Sequence, residues 1–435
     1  MSAETTKQSK DKPILTVIMP VYNTDKYLEE CMDSLVNQTL KEIEIICVND
    51  ASTDRSYEIL KEYAEKDDRI KIINQETNVG QSICRNTALD YINGEYTVFI
   101  DSDDKIELDG YEKVLKFAQK YQNDVVIFDT VRFNHLGSVW PSILHSRSIT
   151  GETVTKTNIL EHKELVYDTG PWNKFIKSDF LLATNIKFLE RSLYQDLLFS
   201  MELFTATDNI GIYPDVKYYW RVRGGSVTNK IDFVRNISNR VNITNKIIEV
   251  FNREEKYKVL IKQLYIKLAE IDFLQFINNI DTGNEEYRRI VVDEFTPKVR
   301  EFPQEAFDIL EDIDRLKYKL LLEGKIDELI ALVHHDNLFK ANQKELKNQN
   351  KKLKSAQDKN NKLSNENKKL KDKNKELKED NEKLKEKNKE LKKKNKKMKN
   401  EMRDVKSTKG WFKYKTNNIY DRTINKRSKW HAIIE

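Results

Sequence analysis

In the stretch YTVFIDSDDKI, residues 96–106, three aspartates follow an apolar run that is rich in β-branched and aromatic residues. Oxygen ligands such as Asp101 and Asp103 suit a hard divalent cation, Mg²⁺ or Mn²⁺, which usually shares its coordination with phosphate. A lone Asp-x-Asp is more often a turn followed by a helix N-cap, because Asp favours both. Whether these residues form a site therefore depends on what stands at the ends of the neighbouring strands.

Two further polar clusters follow apolar runs earlier in the chain. PVYN (20–23) follows ILTVIM (14–19), and NDAS (49–52) follows IEIICV (43–48). Helical patterns separate these runs, so we predict parallel strands joined by right-handed crossovers in an α/β sheet. Ligands of such sheets bind beyond the carboxyl ends of the strands. The three clusters together predict a ligand-binding crevice at one edge of the sheet.

The elements that position these clusters are short and alternate in type. We predict strands at 14–19, 43–48, 69–73 and 96–100, the first of them ended by Pro20. We predict helices in DKYLEECMDSLVNQ, after Asp54 and near 80–92. In the first helix an apolar face is formed by Leu28, Cys31, Met32 and Leu35.

Charge is distributed unevenly along the 435 residues. Residues 341–435 hold 32 Lys and Arg against 14 Asp and Glu, whereas residues 1–340 hold 44 against 57. A basic tail of this kind is expected to bind an anionic partner, such as membrane lipid, nucleic acid or a polyanion. Cys31, Cys47 and Cys84 lack metal-like spacing and are expected in a core within a reducing compartment.

Residues 14–130 resemble the nucleotide-sugar-binding half of the family 2 glycosyltransferases, which have the GT-A fold. The resemblance lies in TVIMPVYNTDKYLEECMDSLVNQT, IICVNDASTDRS, NVGQSICRNTAL and GEYTVFIDSDDKI. It implies a Rossmann-like, mostly parallel sheet and transfer of a sugar from a nucleotide diphosphate, with UDP expected, inverting the anomeric centre. A glycan or lipid-linked acceptor in cell-surface polysaccharide synthesis is expected.

The resemblance also implies roles for single residues. The nucleotide would be bound by Pro20, Tyr22, Asp50, Gly80, Arg85, Asp101 and Ser102. Within that set, Pro20 and Tyr22 would lie along the base and ribose, Asp50 would hydrogen-bond the base, and Asp101 would contact the ribose. Asp103 would ligate Mn²⁺ or Mg²⁺, which stabilises the charge of the departing diphosphate. Asp104 is expected to be a loop or helix-cap residue.

A candidate base lies in FLERSLYQDLLFSMELF. Asp196 starts an apolar helical pattern, where the helix N-terminus favours the ionised carboxylate. From spacing alone, such a residue is more often a helix cap. The resemblance implies that Asp196 takes a proton from the acceptor hydroxyl. Family members have Glu-Asp here and this chain has Gln195-Asp196, which would lower the pKa of the base.

Two more segments resemble parts of the same family. In GPWNKFIKSDFL (170–181), the acceptor side would be lined by Trp172, Asn173 and Lys174, although a buried core tryptophan is nearly as typical. In YYWRVRGGSVTN (218–229), Arg221 and Arg223 are two residues apart and would project to one side to meet the diphosphate. Two surface arginines are the equally weighted alternative. Gln195 would also lie on the acceptor side.

The chain from residue 341 has a seven-residue repeat. Leucine or methionine recurs at one position, namely Leu363, Leu370, Leu377, Leu384, Leu391 and Met398. Asparagine lies three residues before each, at Asn360, Asn367, Asn374, Asn381, Asn388 and Asn395. These are the d and a positions of a coiled coil. With lysine at most flanking positions, we expect a marginal homodimer or a helix that takes an acidic partner, a solvated single helix being the alternative.

We therefore predict a disordered start (1–13), a GT-A domain (14–230), a helical extension (231–340), a coiled coil (341–403) and a basic aromatic tail (404–435). Tryptophan and tyrosine mixed with lysine in that tail suit an anionic membrane surface. No apolar run approaches the ~20 residues of a membrane span. We expect a cytoplasmic protein whose tail either attaches to the inner face of the membrane or folds onto another protein, and nucleic acid is a disfavoured partner. A coiled-coil scaffold carrying a catalytically impaired domain is the alternative, because of Gln195.

Overall fold

The structure, a computed structural model, describes residues 12–223 and 233–406. The chain divides into two compact units, Met1–Leu338 and Phe339–Glu435. The predicted disordered start and the basic aromatic tail lie almost entirely outside the described residues.

The first unit is built on a mixed ten-stranded sheet. Its strands, β1 to β10 in chain order, are Leu15–Val21, Ile43–Asn49, Ile70–Asn74, Tyr96–Phe99, Lys105–Ile106, Val125–Phe133, Val139–Pro141, Val154–Thr157, Lys174–Lys177 and Ile210–Arg221. The order is β3-β2-β1-β4-β9-β6-β10-β5, with β7 beside β6 and β8 beside β10. The four predicted strands, β1 to β4, pair in parallel as expected. Strand β9 runs antiparallel to both β4 and β6.

Helices cover both faces of the sheet. Those among the strands, α1 to α7, are Asp25–Val36, Ser56–Ala64, Gln81–Leu89, Gly110–Tyr121, His145–Ser148, Ser178–Thr184 and Gln195–Thr205. Those after the sheet, α8 to α14, are Phe233–Asn252, Val259–Lys267, Leu274–Ile277, Glu285–Ile290, Thr296–Val299, Gln304–Asp308 and Asp312–Leu322. The prediction of a helical region after residue 230 therefore agrees with the elements formed there.

Strand β1 is apolar throughout because both of its faces are covered. Val17 and Met19 lie in one core with Leu28 of α1, whereas Ile18 lies in the other core with Phe199 of α7. This alternation follows from the two-residue period of a strand. The second core continues into α8 to α14, so the helical region and the sheet share one hydrophobic interior.

Proline 20 does not end the first strand, which continues to Val21. Pro20 pairs with Val48 of β2. The N–H of Ile100 donates to the carbonyl of Ile18, so Ile18, and Pro20 two residues later, face the β4 side. The last residue pair between β1 and β4 is Ile18 with Phe99. Pro20 is tolerated because its missing N–H falls beyond the end of β4, where no ladder bond is lost.

Helix α15, Ile326–Lys406, begins in the first unit and supplies the described part of the second. It is continuous between Leu353 and Leu363, where the leucine spacing is ten residues instead of seven. The leucines and the methionine of the seven-residue repeat are 51–59% exposed in this chain, and their pairing remains a prediction. Among the described residues, we find no helix with the length and hydropathy needed to cross a membrane.

Candidate active site

The three polar clusters lie together at the carboxyl edge of the parallel strands. The hydroxyl of Thr24 donates to Ser102 Oγ at 3.1 Å, and the N–H of Asn23 donates to Ser52 Oγ at 3.2 Å. Tyr22 is 47% exposed beside them, while Pro20 is buried. The three clusters predicted to meet are therefore neighbours at this edge, and Tyr22 is an accessible aromatic side chain beside them.

Asp50 fixes the loop that precedes helix α3. Its Oδ1 accepts from the N–H of Val79 at 2.6 Å, and its Oδ2 accepts from the N–H of Gly80 at 2.9 Å. Asp50 is only 3% exposed, so its present contacts are with this loop and not with open space. Gly80 has φ 91°, and a Cβ there would meet no atom within 4 Å. The backbone conformation, rather than crowding, is what favours glycine.

Arg85 joins the strand edge to the candidate base. From helix α3, its Nη2 donates to Asp101 Oδ1 at 2.7 Å, and its Nη1 donates to Asp196 Oδ1 at 2.9 Å. The Arg85 side chain is 1% exposed, whereas Asp101 is 29% exposed and Asp196 is 31% exposed. The two carboxylates are thus held on one guanidinium with surface left for substrates. The sequence placed Arg85 with the nucleotide, and it did not predict this bridge.

Asp196 stands in the first turn of α7, as predicted. The buried side-chain amide of Gln195 donates to Asp196 Oδ1, the same oxygen that Arg85 contacts. Burial raises the pKa of Asp196 above its usual value, and the Arg85 cation opposes that shift. A carboxylate with these neighbours and this exposure has the features of a general base.

Asp103 and Asp104 differ in their surroundings. Asp104 is 1% exposed and accepts from the hydroxyl of Tyr218 and the N–H of Arg221, both at 2.7 Å. Burial and the charges of Asp103 and Asp101 raise the pKa of Asp104 well above its usual range. Asp103 is more accessible and pairs with Arg223 at 2.6 Å. Asp104 is therefore a loop residue, as expected, and Asp103 is the carboxylate that a ligand can reach.

The two predicted diphosphate arginines lie over one aromatic ring. The guanidinium carbons of Arg221 and Arg223 are 5.0 and 5.2 Å from the centroid of Tyr27. Arg221 is largely buried, donates to the carbonyl of Asp103 and pairs with Glu30. Arg223 is 23% exposed. Arg223 is consequently the better placed of the two for a diphosphate, while Arg221 holds the Asp103 loop.

The three residues predicted to line the acceptor side are buried. Trp172 is stacked on Tyr218, with ring centroids 4.6 Å apart, which is the core tryptophan named as the alternative. Lys174 and Asn173 are fully buried, and both donate to Asp168, at 2.6 and 2.9 Å. Although burial opposes ionisation of Asp168, Lys174 lowers its pKa. As placed, these side chains support the floor of the site and do not line an open surface.

The sequence also left some site residues unidentified. Asp168 and Tyr218 were not singled out, yet they hold Lys174 and Asp104 respectively. A lysine in an apolar strand implies a buried counter-charge, which is a signal for Asp168. Within residues 12–223 and 233–406, no three His, Cys, Asp or Glu side chains form a group able to hold a metal ion by themselves.

Comparison with known proteins identifies a family that part of this chain matches. Residues 16–191 match the family described as Glycosyl transferase family 2. The chain is 34% identical over 223 residues to Glycosyltransferase GlyA of Streptococcus pneumoniae, covering 49% of this chain and 31% of GlyA. It is 32% identical over 213 residues to the Poly(ribitol-phosphate) beta-glucosyltransferase of Bacillus spizizenii, covering 48% of this chain and 32% of that protein. The chain thus spans about a third of the length of both relatives.

A solved structure shows the same fold. The crystal structure of S. aureus TarS 1-349 in complex with UDP-GlcNAc aligns with a TM-score of 0.61 and 22% identity, covering 74% of this chain and 91% of that one. At this identity the likeness concerns the fold alone, and the predicted GT-A architecture is confirmed.

Proposed function

We propose, from the match of residues 16–191 to Glycosyl transferase family 2, that the protein is an inverting sugar transferase. It moves a sugar from a nucleoside diphosphate, with UDP expected, to a glycan or lipid-linked acceptor in cell-surface polysaccharide synthesis. The observation that best supports the proposal is the Arg85 bridge, which holds Asp101 and Asp196 on one guanidinium. A donor-side carboxylate and a candidate base are thereby kept at one edge of the sheet.

The donor would occupy the crevice between the strand ends. Tyr22 offers an exposed aromatic face for a nucleobase, and Asp101 an accessible carboxylate for a ribose hydroxyl. Asp50 acts indirectly in this proposal, because it fixes the loop at Gly80 that closes the crevice. Ser102 fixes the opposite side through Thr24.

The oxygen donors at the edge fit a divalent cation. Mn²⁺ and Mg²⁺ are commonly held by one or two carboxylates together with substrate phosphates. Asp101 and Asp103 are the partly exposed carboxylates of the DSDD loop, and they pair with Arg85 and Arg223 respectively. Asp103 would hold the cation, whose charge would stabilise the departing nucleoside diphosphate. Arg223, close to Asp103, would contact the same phosphates.

Asp196 would accept the proton of the acceptor hydroxyl on Oδ2 or Oδ1, while the hydroxyl oxygen attacks the anomeric carbon. Arg85 and Gln195 orient the carboxylate from two sides. Because the carboxylate is only partly covered, an acceptor can approach it. Lys174 lies too deep to contact an acceptor and would act by supporting the floor through Asp168.

The acceptor class is proposed from the relatives. One relative is named Poly(ribitol-phosphate) beta-glucosyltransferase, and S. aureus TarS, which shares the fold, was crystallised with UDP-GlcNAc. We take the acceptor to be a glycan or polyol-phosphate chain of this kind. The basic, aromatic composition of residues 404–435 supports action at the inner membrane face, where lipid-linked acceptors are found.

The exposed leucine seam of α15 would bind an acidic helix. In a parallel homodimer each g residue faces an e residue of the partner, five positions further on. Three of the five such pairs would be lysine with lysine, namely Lys373–Lys378, Lys387–Lys392 and Lys394–Lys399. The other two, Glu366–Lys371 and Asp380–Lys385, are attractive. Repulsion thus outweighs attraction in a homodimer, whereas an acidic partner would satisfy the e-position lysines.

A binding scaffold without catalysis is the second candidate, and Gln195 favours it because the family pair at this place is Glu-Asp. Release of UDP from UDP-glucose, UDP-N-acetylglucosamine and UDP-galactose, with and without Mn²⁺, separates the two. Metal-dependent release supports the transferase. Binding of these sugars without any release supports the scaffold.

A further inference from the structure

The loop before α7 has an unusual backbone. Arg191 and Tyr194 have φ values of 54° and 63°, in the left-handed region that residues with a Cβ avoid. Tyr194 directly precedes Gln195 and Asp196. A loop in this conformation persists only where its surroundings hold it there.

Helix α8 of the helical region holds this loop at two points. Asn239 Oδ1 accepts from the N–H of Leu193 at 3.2 Å and from the hydroxyl of Ser192 at 3.3 Å. The guanidinium of Arg240 lies 3.5 Å from the centroid of the Tyr194 ring, within cation–π distance. Asn239 and Arg240, neighbours on one helix, therefore contact three consecutive residues of the loop, 192–194.

Arg240 is itself fixed from behind. Its Nη1 lies 3.5 Å from Asp272 Oδ2, and Lys267 Nζ lies 3.5 Å from the same oxygen. All three side chains are less than a tenth exposed. Asp272 ends a π-helical turn, Leu268–Asp272, a form often found at functional positions. The Arg240 side chain that contacts Tyr194 is thus held by a buried ion pair in the interior of the helical region.

We propose that Asn239 and Arg240 are positioning residues for Asp196, so that the helical region completes the active site of the preceding domain. Arg85 holds the Asp196 carboxylate from the sheet side, and Asn239 and Arg240 hold the backbone that carries it. The proposal rests on the role of Asp196 as the base. Without these contacts from Asn239 and Arg240, the loop would relax from its left-handed conformation and the Asp196 carboxylate would leave its position against Arg85.

Two measurements on the full-length chain test this. Hydrogen exchange followed by mass spectrometry reports on the backbone of residues 190–197, whatever the donor is. Arg240→Ala should speed exchange there. It should also lower UDP release from UDP-N-acetylglucosamine with Mn²⁺ by about tenfold to a hundredfold, since small misplacements cost that much. Affinity for UDP should be unchanged, because the proposed donor contacts Tyr22 and Asp101 stand at strand ends outside this loop.

Arg253→Ala is the matched control. Arg253 directly follows the last residue of α8 and pairs with Glu202 of α7, but its side chain is 63% exposed. It should leave exchange and turnover unchanged. Arg240→Ala is expected to fold because Lys267 still neutralises Asp272. If it does not fold, Asn239→Ala should give the same faster exchange and lower turnover. Asn239→Asp keeps the accepting oxygen and should show wild-type exchange and turnover.

Unchanged exchange at 190–197 in Arg240→Ala and Asn239→Ala overturns the proposal, as does a loss of UDP affinity equal to the loss of turnover. Failure of the transferase function looks different. In that case the wild-type protein releases no UDP, while the exchange measurement still decides whether helix α8 holds the loop.

Discussion

Arg85 Nη1 lies 2.9 Å from Asp196 Oδ1, although 111 residues separate them in sequence. The same guanidinium contacts Asp101 at 2.7 Å. Two carboxylates that would repel each other are thereby kept together, one on the proposed donor side and one on the acceptor side. The bridge links the two halves of the proposed reaction.

Removing Arg85 should destabilise the protein strongly. Arg85→Ala leaves two partly buried carboxylates without their cation, and breaking a buried pair costs about 3–5 kcal/mol. Chemical denaturation measures the loss in the free energy of unfolding. Arg55→Ala is the control, because its ion pair with Glu62 is exposed, with side chains 69% and 54% accessible. An exposed pair contributes about 0–1 kcal/mol. Equal stability of the two variants would contradict a structural role for the bridge.

The rate of UDP release should fall as the pH drops through the pKa of Asp196. This pKa is raised by burial, so the fall should occur above the pH at which an ordinary aspartate is protonated. Gln195→Glu would place a second carboxylate beside Asp196 and raise its pKa further, moving the fall to higher pH. The pH dependence of turnover measures both. Gln119→Glu, at an exposed position of α4, should leave the profile in place. A Gln195→Glu profile identical to the wild type would exclude Asp196 as the titrating group.

Metal dependence should disappear when Asp103 is changed. Asp103→Ala removes the carboxylate proposed to hold the cation, so Mn²⁺ should no longer strengthen UDP binding. Isothermal titration with UDP, with and without Mn²⁺, measures the effect. Asp109→Ala, at a surface pair with Lys113, is the matched control and should keep it. Retained Mn²⁺ enhancement in Asp103→Ala would place the cation elsewhere.

Much of the parallel half of the sheet was predictable from the sequence. Strands β1 to β4 lie within two residues of the predicted bounds, because buried parallel strands appear as continuous apolar runs. The antiparallel part was not predicted. Strand β9 has four residues and β5 has two, and their pairing partners lie far away in sequence. Such short segments carry too little periodicity to be recognised.

The positions of the candidate residues in strands and helices followed from the sequence, whereas their contacts did not. Asp103 and Asp196 stand at a strand end and a helix start, which local pattern indicates. Trp172 and Lys174 were expected at the acceptor side and are buried, because their surroundings are set by Tyr218 and Asp168 from other segments. No local pattern reports which of two apolar faces a residue will join.

The long helix should be monomeric by itself. Lysine faces lysine at most g–e pairs of a homodimer, so the wild-type chain should sediment as one copy. Changing Lys378→Glu and Lys392→Glu together would make two repulsive pairs attractive and should produce a dimer. Analytical ultracentrifugation measures this. Lys375→Glu with Lys389→Glu, away from the seam at b positions, is the control. A wild-type dimer would contradict the preference for an acidic partner.

The most direct measurement of the central claim compares Asp196→Asn with the wild type for both UDP release and UDP binding, using UDP-N-acetylglucosamine and Mn²⁺. The amide cannot accept the acceptor's proton, so turnover should fall by about 10²–10⁴-fold while UDP binds with wild-type affinity. Turnover by Asp196→Asn at the wild-type rate would contradict the account, because Asp196 would then have no part in the reaction.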